Sequence, residues 1–217
     1  MGQLWNKVTV PAWNDGYCEY AMDQMLLPGA VGDGTCFGLA ALWLKKFTQG
    51  KDYACDGNYE VRSVSDMPLA VQVQKTFDKE ILAHDEPWPA ITAALAHLDF
   101  KIVFGYAQRS ESGVGASGLY NIINAGGSGA KGGLGGYIVG LRSNTGAAHA
   151  FAIVNADDTW HMFDANYGRF KVPDETFWKS HVFQNFLVDY MKSGKSGYTS
   201  RYNGGWLTCR VWPRSWG

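Results

Sequence analysis

The sequence predicts an α+β fold in which helices come first and an antiparallel sheet follows. Apolar residues recur at helical spacing across residues 36–98. From Tyr137 onward the pattern changes to short apolar or alternating runs separated by turn-forming residues. Helices and strands are segregated along the chain instead of alternating, which argues for α+β over a doubly wound parallel sheet.

The opening residues, with Pro11, Asn14, Asp15 and Gly16, read as an irregular arm holding a short strand at Lys7–Val10. Residues 17–27 predict a short helix ended by Pro28-Gly29. Gly32 and Gly34 then make a turn, and Thr35 takes the N-cap position. Leu39, Leu42, Trp43 and Phe47 give the next helix a buried stripe that closes near Gln49-Gly50. Residues 51–66 read as a polar loop. A helix follows over 67–84, with Pro68 in its first turn and Leu69, Val73, Phe77, Ile81 and Leu82 on one face. Another runs from Pro89 to His97 with Ile91, Leu95 and Leu98 on one side, and Phe100–Tyr106 reads as a strand.

Residues 109–136 are rich in Ser and Gly and read as a loop. Their glycine pairs lead to no Gly-Lys-Ser/Thr ending and sit in no strand–loop–helix order, so a phosphate-cradling loop is not expected. Tyr137–Leu141, Ala148–Val154 and Thr159–Phe163 form a three-stranded antiparallel meander, turning at Asn144-Thr145-Gly146 and Asp157-Asp158. Phe170–Val172 adds a short strand and Pro173–Val188 a helix; the linker Ser193–Gly197 then leads to a last strand at Trp206–Trp212. One domain spans residues 1–217: a mostly helical part, 1–98, carries Cys36, and a mostly sheet part, 99–217, carries His149 and Asp164.

Composition removes several function classes. A net charge of −1, with both signs mixed along 217 residues, does not supply the clustered Lys and Arg that a nucleic-acid surface needs. No apolar run is long enough to span a membrane, and the N-terminus has no basic segment followed by an apolar stretch, so no signal peptide is expected. Four separated cysteines without a Cys-x-x-Cys pair argue against a thiolate metal site and for reduced thiols. Neither a cofactor nor a metal is expected.

Chemistry concentrates at Cys36, placed in the first turn of its helix. There the macrodipole and the unpaired backbone N–H groups favour thiolate, and the same N–H groups can accept charge developing on a carbonyl oxygen. A cysteine nucleophile needs a base, and the base needs an orienting group. His149 opens the strand His-Ala-Phe-Ala-Ile-Val, sharing a face with Phe151 and Ile153 while small Ala150 and Ala152 take the other. Asp164 ends the next strand. Two antiparallel neighbours joined by a short turn bring His149 and Asp164 to the same sheet end, and Asn166, Tyr167 and Gly168 form a turn that can brace Asp164. Each residue also has a plain structural reading: Cys36 as a small core residue, His149 as a satisfied strand histidine, Asp164 as a turn former. His84 and His97 read as solvated or capping, His181 lies on an amphipathic helix, and His161 has the opposite strand parity to Asp164.

Three blocks lie in order along the chain: Gly34-Thr35-Cys36-Phe37-Gly38-Leu39, His149-Ala150-Phe151-Ala152-Ile153, and Asp164-Ala165-Asn166-Tyr167-Gly168-Arg169-Phe170. Together they resemble the signature of the YopT-type effector cysteine proteases, a family of the papain-like clan. The resemblance implies a papain-like fold with Cys36 as nucleophile, His149 as general base and acid, and Asp164 as orienter. Papain-like enzymes place an oxyanion-binding amide a few residues before the cysteine; here Ala30, Val31, Gly32 and Asp33 stand there, and the nearest upstream amide is Gln24. The oxyanion donors implied are therefore the backbone N–H of Cys36 and, from farther upstream than the family pattern, Gln24.

The resemblance further implies a bacterial effector or toxin, secreted by a specialised apparatus into the cytoplasm of a target cell, where it cleaves a specific protein substrate. Against a rival bacterium it would require a cognate immunity or inhibitor protein in the producing cell. The same triad also serves other thiol acyl-transfer enzymes, namely glutamine deamidases, transglutaminase-like enzymes and peptidoglycan amidases, because substrate choice lies in the cleft walls. A non-enzymatic binding module presenting its nine tryptophans is the remaining class.

Overall fold

The computed structural model describes residues 17–21, 24, 34–49, 59–110, 136–156, 159–173, 182–193 and 198–216. The elements are β1 (Cys18–Ala21), α1 (Cys36–Thr48), α2 (Tyr59–Ile81), α3 (Pro87–Ala96), β2 (Phe100–Ser110), β3 (Gly136–Arg142), β4 (Ala148–Ala156), β5 (Thr159–Asp164), β6 (Gly168–Pro173), α4 (Val182–Ser193), α5 (Tyr198–Arg201) and β7 (Gly205–Pro213). The strands make one seven-stranded sheet in the order β1-β6-β5-β4-β3-β7-β2, and every pairing is antiparallel. The α+β class read from the sequence is the class observed, with helices covering both faces of the sheet.

The expected meander β3-β4-β5 forms the centre of a wider sheet. β7 returns from the chain's end to pair with β3, and β2 closes the row beyond it. Residues 18–21 are a strand, not part of the predicted helix over 17–27. They pair with β6, which would otherwise be an open edge of the sheet, and this tertiary partner outweighs local helix preference. α2 begins at Tyr59, earlier than the predicted residue 67, so Pro68 lies inside it instead of in its first turn. Met67, Ala70 and Val73 are fully buried around this proline, and that packing offsets the backbone bond it removes. β6 extends through Pro173, where a helix was expected to start, and α4 runs to Ser193. A short helix, α5, lies just beyond the predicted linker. The predicted strand at residues 7–10, most of the Gly/Ser-rich loop, and His181 lie outside the described residues. No helix among the described residues is long and apolar enough to cross a membrane.

Two cores flank the sheet. On one side Phe37, Leu39, Leu42, Trp43 and Leu44 of α1 join residues of α2 and α3 over Ile138, Ala150, Ala152, Val154 and Phe163. On the other, Phe183, Phe186, Leu187, Tyr190 and Met191 of α4 cover Phe151, Ile153, Trp160, Met162 and Phe170. The strand period of two divides β4 between them.

Small residues on the first face set the depth at which α1 lies. A side chain at Gly136 would meet Leu44 at 2.3 Å, and Ala150 and Ala152 keep the neighbouring surface low. Trp43 stacks on Phe163 with ring centroids 5.6 Å apart. With Leu44 over Gly136, which pairs with Val154, α1 runs alongside β4 and delivers its N-terminus to the strand end that holds His149. From the far side α2 approaches as closely: a Cβ on Gly38 would lie 2.0 Å from the carbonyl oxygen of Ala70.

Gly38→Ala is therefore expected to destabilise the fold by about 1–3 kcal/mol through overpacking against backbone, although alanine is favoured over glycine in an open helix by about 1 kcal/mol. Urea denaturation of the two proteins measures the difference; a variant as stable as wild type would contradict the close α1–α2 approach.

Candidate active site

The turn before α1 has Gly34 at φ 95°, a left-handed conformation that a side chain would strain. It delivers Thr35 to the N-cap and Cys36 to the first helical position. Thr35 makes no side-chain cap. Its backbone N–H instead donates to Gln24 Oε1 at 2.7 Å, and the Gly38 N–H donates to Gln74 Oε1 at 3.1 Å. Two side chains from elsewhere in the sequence thus satisfy part of the helix start. Cys36 is half-buried and its sulfur is not in a disulfide.

His149 lies on β4 opposite Leu141 of β3, on the sheet face covered by α4. Asp164, the last residue of β5, pairs with Phe151, so the β5–β6 turn lies beside His149. The two side chains meet: His149 Nε2 and Asp164 Oδ2 are 2.8 Å apart, with the carboxylate completely buried and the ring nearly so. The imidazole donates its Nε2–H to the carboxylate, which leaves Nδ1 for a second partner. Asn166 Nδ2 stands 3.4 Å from that nitrogen, beyond ordinary N–H bond length. The Cys36 sulfur lies close enough to this ring to help raise its pKa.

Asp164 is held by four donors. Besides His149, the Asn166 backbone N–H reaches Oδ1 at 2.7 Å, the Tyr198 hydroxyl reaches Oδ2 at 3.0 Å, and the Tyr190 hydroxyl bonds Oδ2 closely. Tyr198 Oη is also 3.2 Å from His149 Nε2, and the Tyr202 ring stacks beside the imidazole at 6.0 Å. Burial opposes charge on both members of the pair, but their attraction prevails. The His149 imidazole is pushed up to about 10 by the Asp164 carboxylate and the Cys36 sulfur, while His149, Tyr190 and the Asn166 N–H hold the Asp164 carboxyl below its usual range.

Gln24 is buried at the same place. Its backbone N–H donates to Ala165 O at 2.6 Å, its Oε1 accepts from Thr35, and its Nε2 donates to Asn166 Oδ1 at 2.8 Å. The structure thus brings together all four residues singled out in the sequence, Cys36, His149, Asp164 and Gln24. The other histidines are elsewhere: His161 lies on the α1 face, 4.9 Å from the Phe47 ring and 3.1 Å from Arg169, and His84 and His97 are exposed. Sequence reasoning passed over Tyr190, Tyr198 and Tyr202. Tyr190 lies on α4, Tyr198 opens α5 and Tyr202 follows it, and the sequence pattern shows only that Tyr190 follows Phe186 at helical spacing.

Residues 108–202 match the peptidase C58 family model, the Yersinia/Haemophilus virulence surface antigen family. Over that stretch the chain is similar to the YopT-type cysteine peptidases. The matched stretch is somewhat under half of the peptidase and includes His149, Asp164 and all three tyrosines. The fold is papain-like. The Pseudomonas avirulence protein AvrPphB is similar with a TM-score of 0.55 at 18% identity, over 83% of this chain and 92% of that one. The ubiquitin-specific protease encoded by murine cytomegalovirus tegument protein M48, solved with a ubiquitin-based suicide substrate, is similar with a TM-score of 0.50 at 13% identity, over 90% and 84%. No curated protein sequence matches the peptidase.

The raised imidazole contributes stability in full below its ordinary 6.5 and loses it as pH rises through about 10. The depressed carboxyl contributes above its ordinary 3.8 and loses it as pH falls through its lower folded value. The difference in unfolding free energy between wild type and Asp164→Asn should therefore be largest between pH 3.8 and 6.5 and shrink toward pH 10. Urea titrations across that range measure it, and a difference independent of pH would show that the two groups are not an ion pair.

Proposed function

We propose that the peptidase hydrolyses a peptide bond of a specific protein substrate through Cys36, His149 and Asp164. The observation that carries this reading is the buried His149–Asp164 pair, with its remaining nitrogen available to a thiol at a helix start. Cys36 Sγ, as thiolate, attacks the scissile carbonyl carbon and the carbonyl oxygen takes the negative charge. The Cys36 N–H receives that oxyanion; no acceptor among the described residues already takes it. Gln24 Nε2, with one of its two hydrogens spent on Asn166, supplies the second donor. The His149 imidazolium then gives its Nδ1 proton to the departing amine, leaving a thioester on Cys36. Neutral His149 next takes a proton from water at Nδ1; the resulting hydroxide attacks the thioester, and the carboxylic product leaves as the thiol pair reforms. Throughout, Asp164 keeps Nε2 protonated and the ring oriented.

The match of residues 108–202 to a virulence family model supports an effector role. In this reading the peptidase is secreted by a dedicated apparatus and acts in the cytoplasm of a target cell, eukaryotic host or rival bacterium; in the rival-bacterium case an immunity protein covers Cys36 in the producer. Wild type and Cys36→Ala expressed separately in a bacterial and a eukaryotic cytosol, followed by sequencing of new protein N-termini, test both parts. N-termini that appear only with wild type name the substrate and its host. Cys36-dependent toxicity without new N-termini would replace proteolysis by deamidation or acyl transfer.

On the identified substrate, Cys36→Ala and His149→Ala should each lower kcat by about 10⁶ and Asp164→Asn by about 10⁴, the pattern of residues acting as a unit. Turnover by His149→Ala at the wild-type rate would refute the triad. The departing amine takes its proton from the His149 imidazolium, so kcat/KM should fall as pH rises through about 10. In Asp164→Asn the residual activity should show this limb at lower pH, because the charge that raises the imidazole is gone; an unmoved limb would assign it to another group.

A further inference from the structure

We infer that Asn166 is a positioning residue for the oxyanion hole: its side chain fixes the amide orientation of Gln24 and ties that amide to the His149–Asp164 pair. The inference deepens the proposed proteolytic reading and rests on it.

Gln24 is held at the start of α1 by bonds to Ala165, Asn166 and Thr35, residues that lie apart from it in the sequence. Its buried amide has two ends. Oε1 accepts from the Thr35 N–H, and Nε2 donates to Asn166 Oδ1. Turned over, the amide would set NH₂ against an N–H and oxygen against oxygen, with little water to satisfy either. Thr35 alone leaves the NH₂ end free to swing; Asn166 fixes it. One Nε2 hydrogen goes to Asn166, and the plane of the amide then fixes the direction of the other, the hydrogen that a substrate oxyanion would receive.

Asn166 is itself fixed from three sides. Its backbone N–H binds Asp164 Oδ1 at 2.7 Å, its Nδ2 donates to the Tyr198 hydroxyl at 3.3 Å, and it sits in the turn closed by the Tyr167 N–H to Asp164 O bond at 3.0 Å. With Nδ2 turned to Tyr198, Oδ1 is the end left for Gln24. The turn that braces the orienter therefore also aims the oxyanion donor. The groups facing His149 are Cys36 from α1, Asp164 from β5, Asn166 from the turn, and Tyr198 and Tyr202 from the C-terminal segment.

Two reactions at one thiol separate the roles. Acylation of Cys36 by 4-nitrophenyl acetate forms a tetrahedral oxyanion as sulfur bonds to the acetyl carbon, then expels 4-nitrophenolate. Alkylation by iodoacetamide joins sulfur to carbon and releases iodide with no oxyanion formed. Gln24→Ala and Asn166→Ala should each slow acylation about tenfold or more, the direction set by loss of an oxyanion donor. The double variant should be no slower than Gln24→Ala, because both changes remove one interaction. Iodoacetamide rates and their pH profiles should stay within about twofold of wild type.

Losses that multiply in the double variant, or an alkylation profile that moves with the acylation rate, would overturn the inference, the latter by showing that Asn166 acts on His149. Should Asn166→Ala not fold, Asn166→Asp keeps an acceptor for Gln24 Nε2. Relative to its own alkylation rate it should acylate within about threefold of wild type, and a tenfold relative deficit would count against the inference. Release of 4-nitrophenolate by Cys36→Ala at the wild-type rate would instead remove the nucleophile assignment, which keeps the two failures distinct.

Discussion

A carboxylate with no exposure to solvent organises this site. An isolated charge at that depth would cost several kcal/mol, so Asp164 needs donors from every direction: His149 across the β4–β5 ladder, the Asn166 N–H from the following turn, and the Tyr190 and Tyr198 hydroxyls from the C-terminal helices. Each donor fixes an element. The β4–β5 register must place Asp164 opposite Phe151 for His149 to reach it, the β5–β6 turn must curl back on its own carboxylate, and α4 and α5 must bring two tyrosines to one oxygen. The interaction that raises the imidazole above its ordinary value also selects one arrangement of the sheet end.

Cys36 arrives from the other face. α1 packs with the first core, whereas His149 and Asp164 are surrounded by residues of the second. Thiol and imidazole can meet only where the two faces join, at the rim of β3 and β4. Reaching that rim requires α1 to lie low and along β4, which Gly136, Ala150 and Ala152 permit and the stacking of Trp43 on Phe163 fixes. The resulting junction leaves Cys36 half-buried while its partners are almost fully enclosed. A substrate can approach the sulfur without stripping the ion pair of its surroundings.

Much of this was legible in the sequence, and what was not has physical reasons. The helix of Cys36 showed its stripe, its preceding glycines and its N-cap. The central strands showed period two and turn residues; the short turn between neighbouring strands put His149 and Asp164 at one sheet end, and parity set His161 apart from Asp164. β1 was missed because an edge strand takes its stability from a partner about 150 residues away, and the start of α2 because Pro68 is a sound first-turn signal that tertiary packing overrode. Gln24 was selected only as the nearest upstream amide; no local pattern shows that Gln24, with Pro28, Gly29 and Gly32 between it and Thr35, lies at the helix start. The tyrosines were hidden for a related reason. A buried hydroxyl aimed at a carboxylate looks, in sequence, like any aromatic core residue on an apolar helix face.

These hidden residues share a character that bears on how such a site holds together. Cys36, His149 and Asp164 each stand at the beginning or end of a regular element, where backbone groups are free and side chains reach past the core. Gln24, Asn166 and Tyr198 bridge between elements, each making polar contacts with at least two different segments. Groups at helix starts and strand ends can be found from local pattern because those positions have local signatures. Bridging groups cannot, because their partners are set by the fold. A hydrogen-bonded chain running from the Thr35 N–H through Gln24 and Asn166 to Tyr198 and Asp164 joins the helix that carries Cys36 to the sheet that carries His149. Apolar packing sets the distance between these two layers, but it is non-directional and tolerates small rotations. Hydrogen bonds at their common rim supply the direction, so the polar chain, more than either core, aligns the thiol with the imidazole.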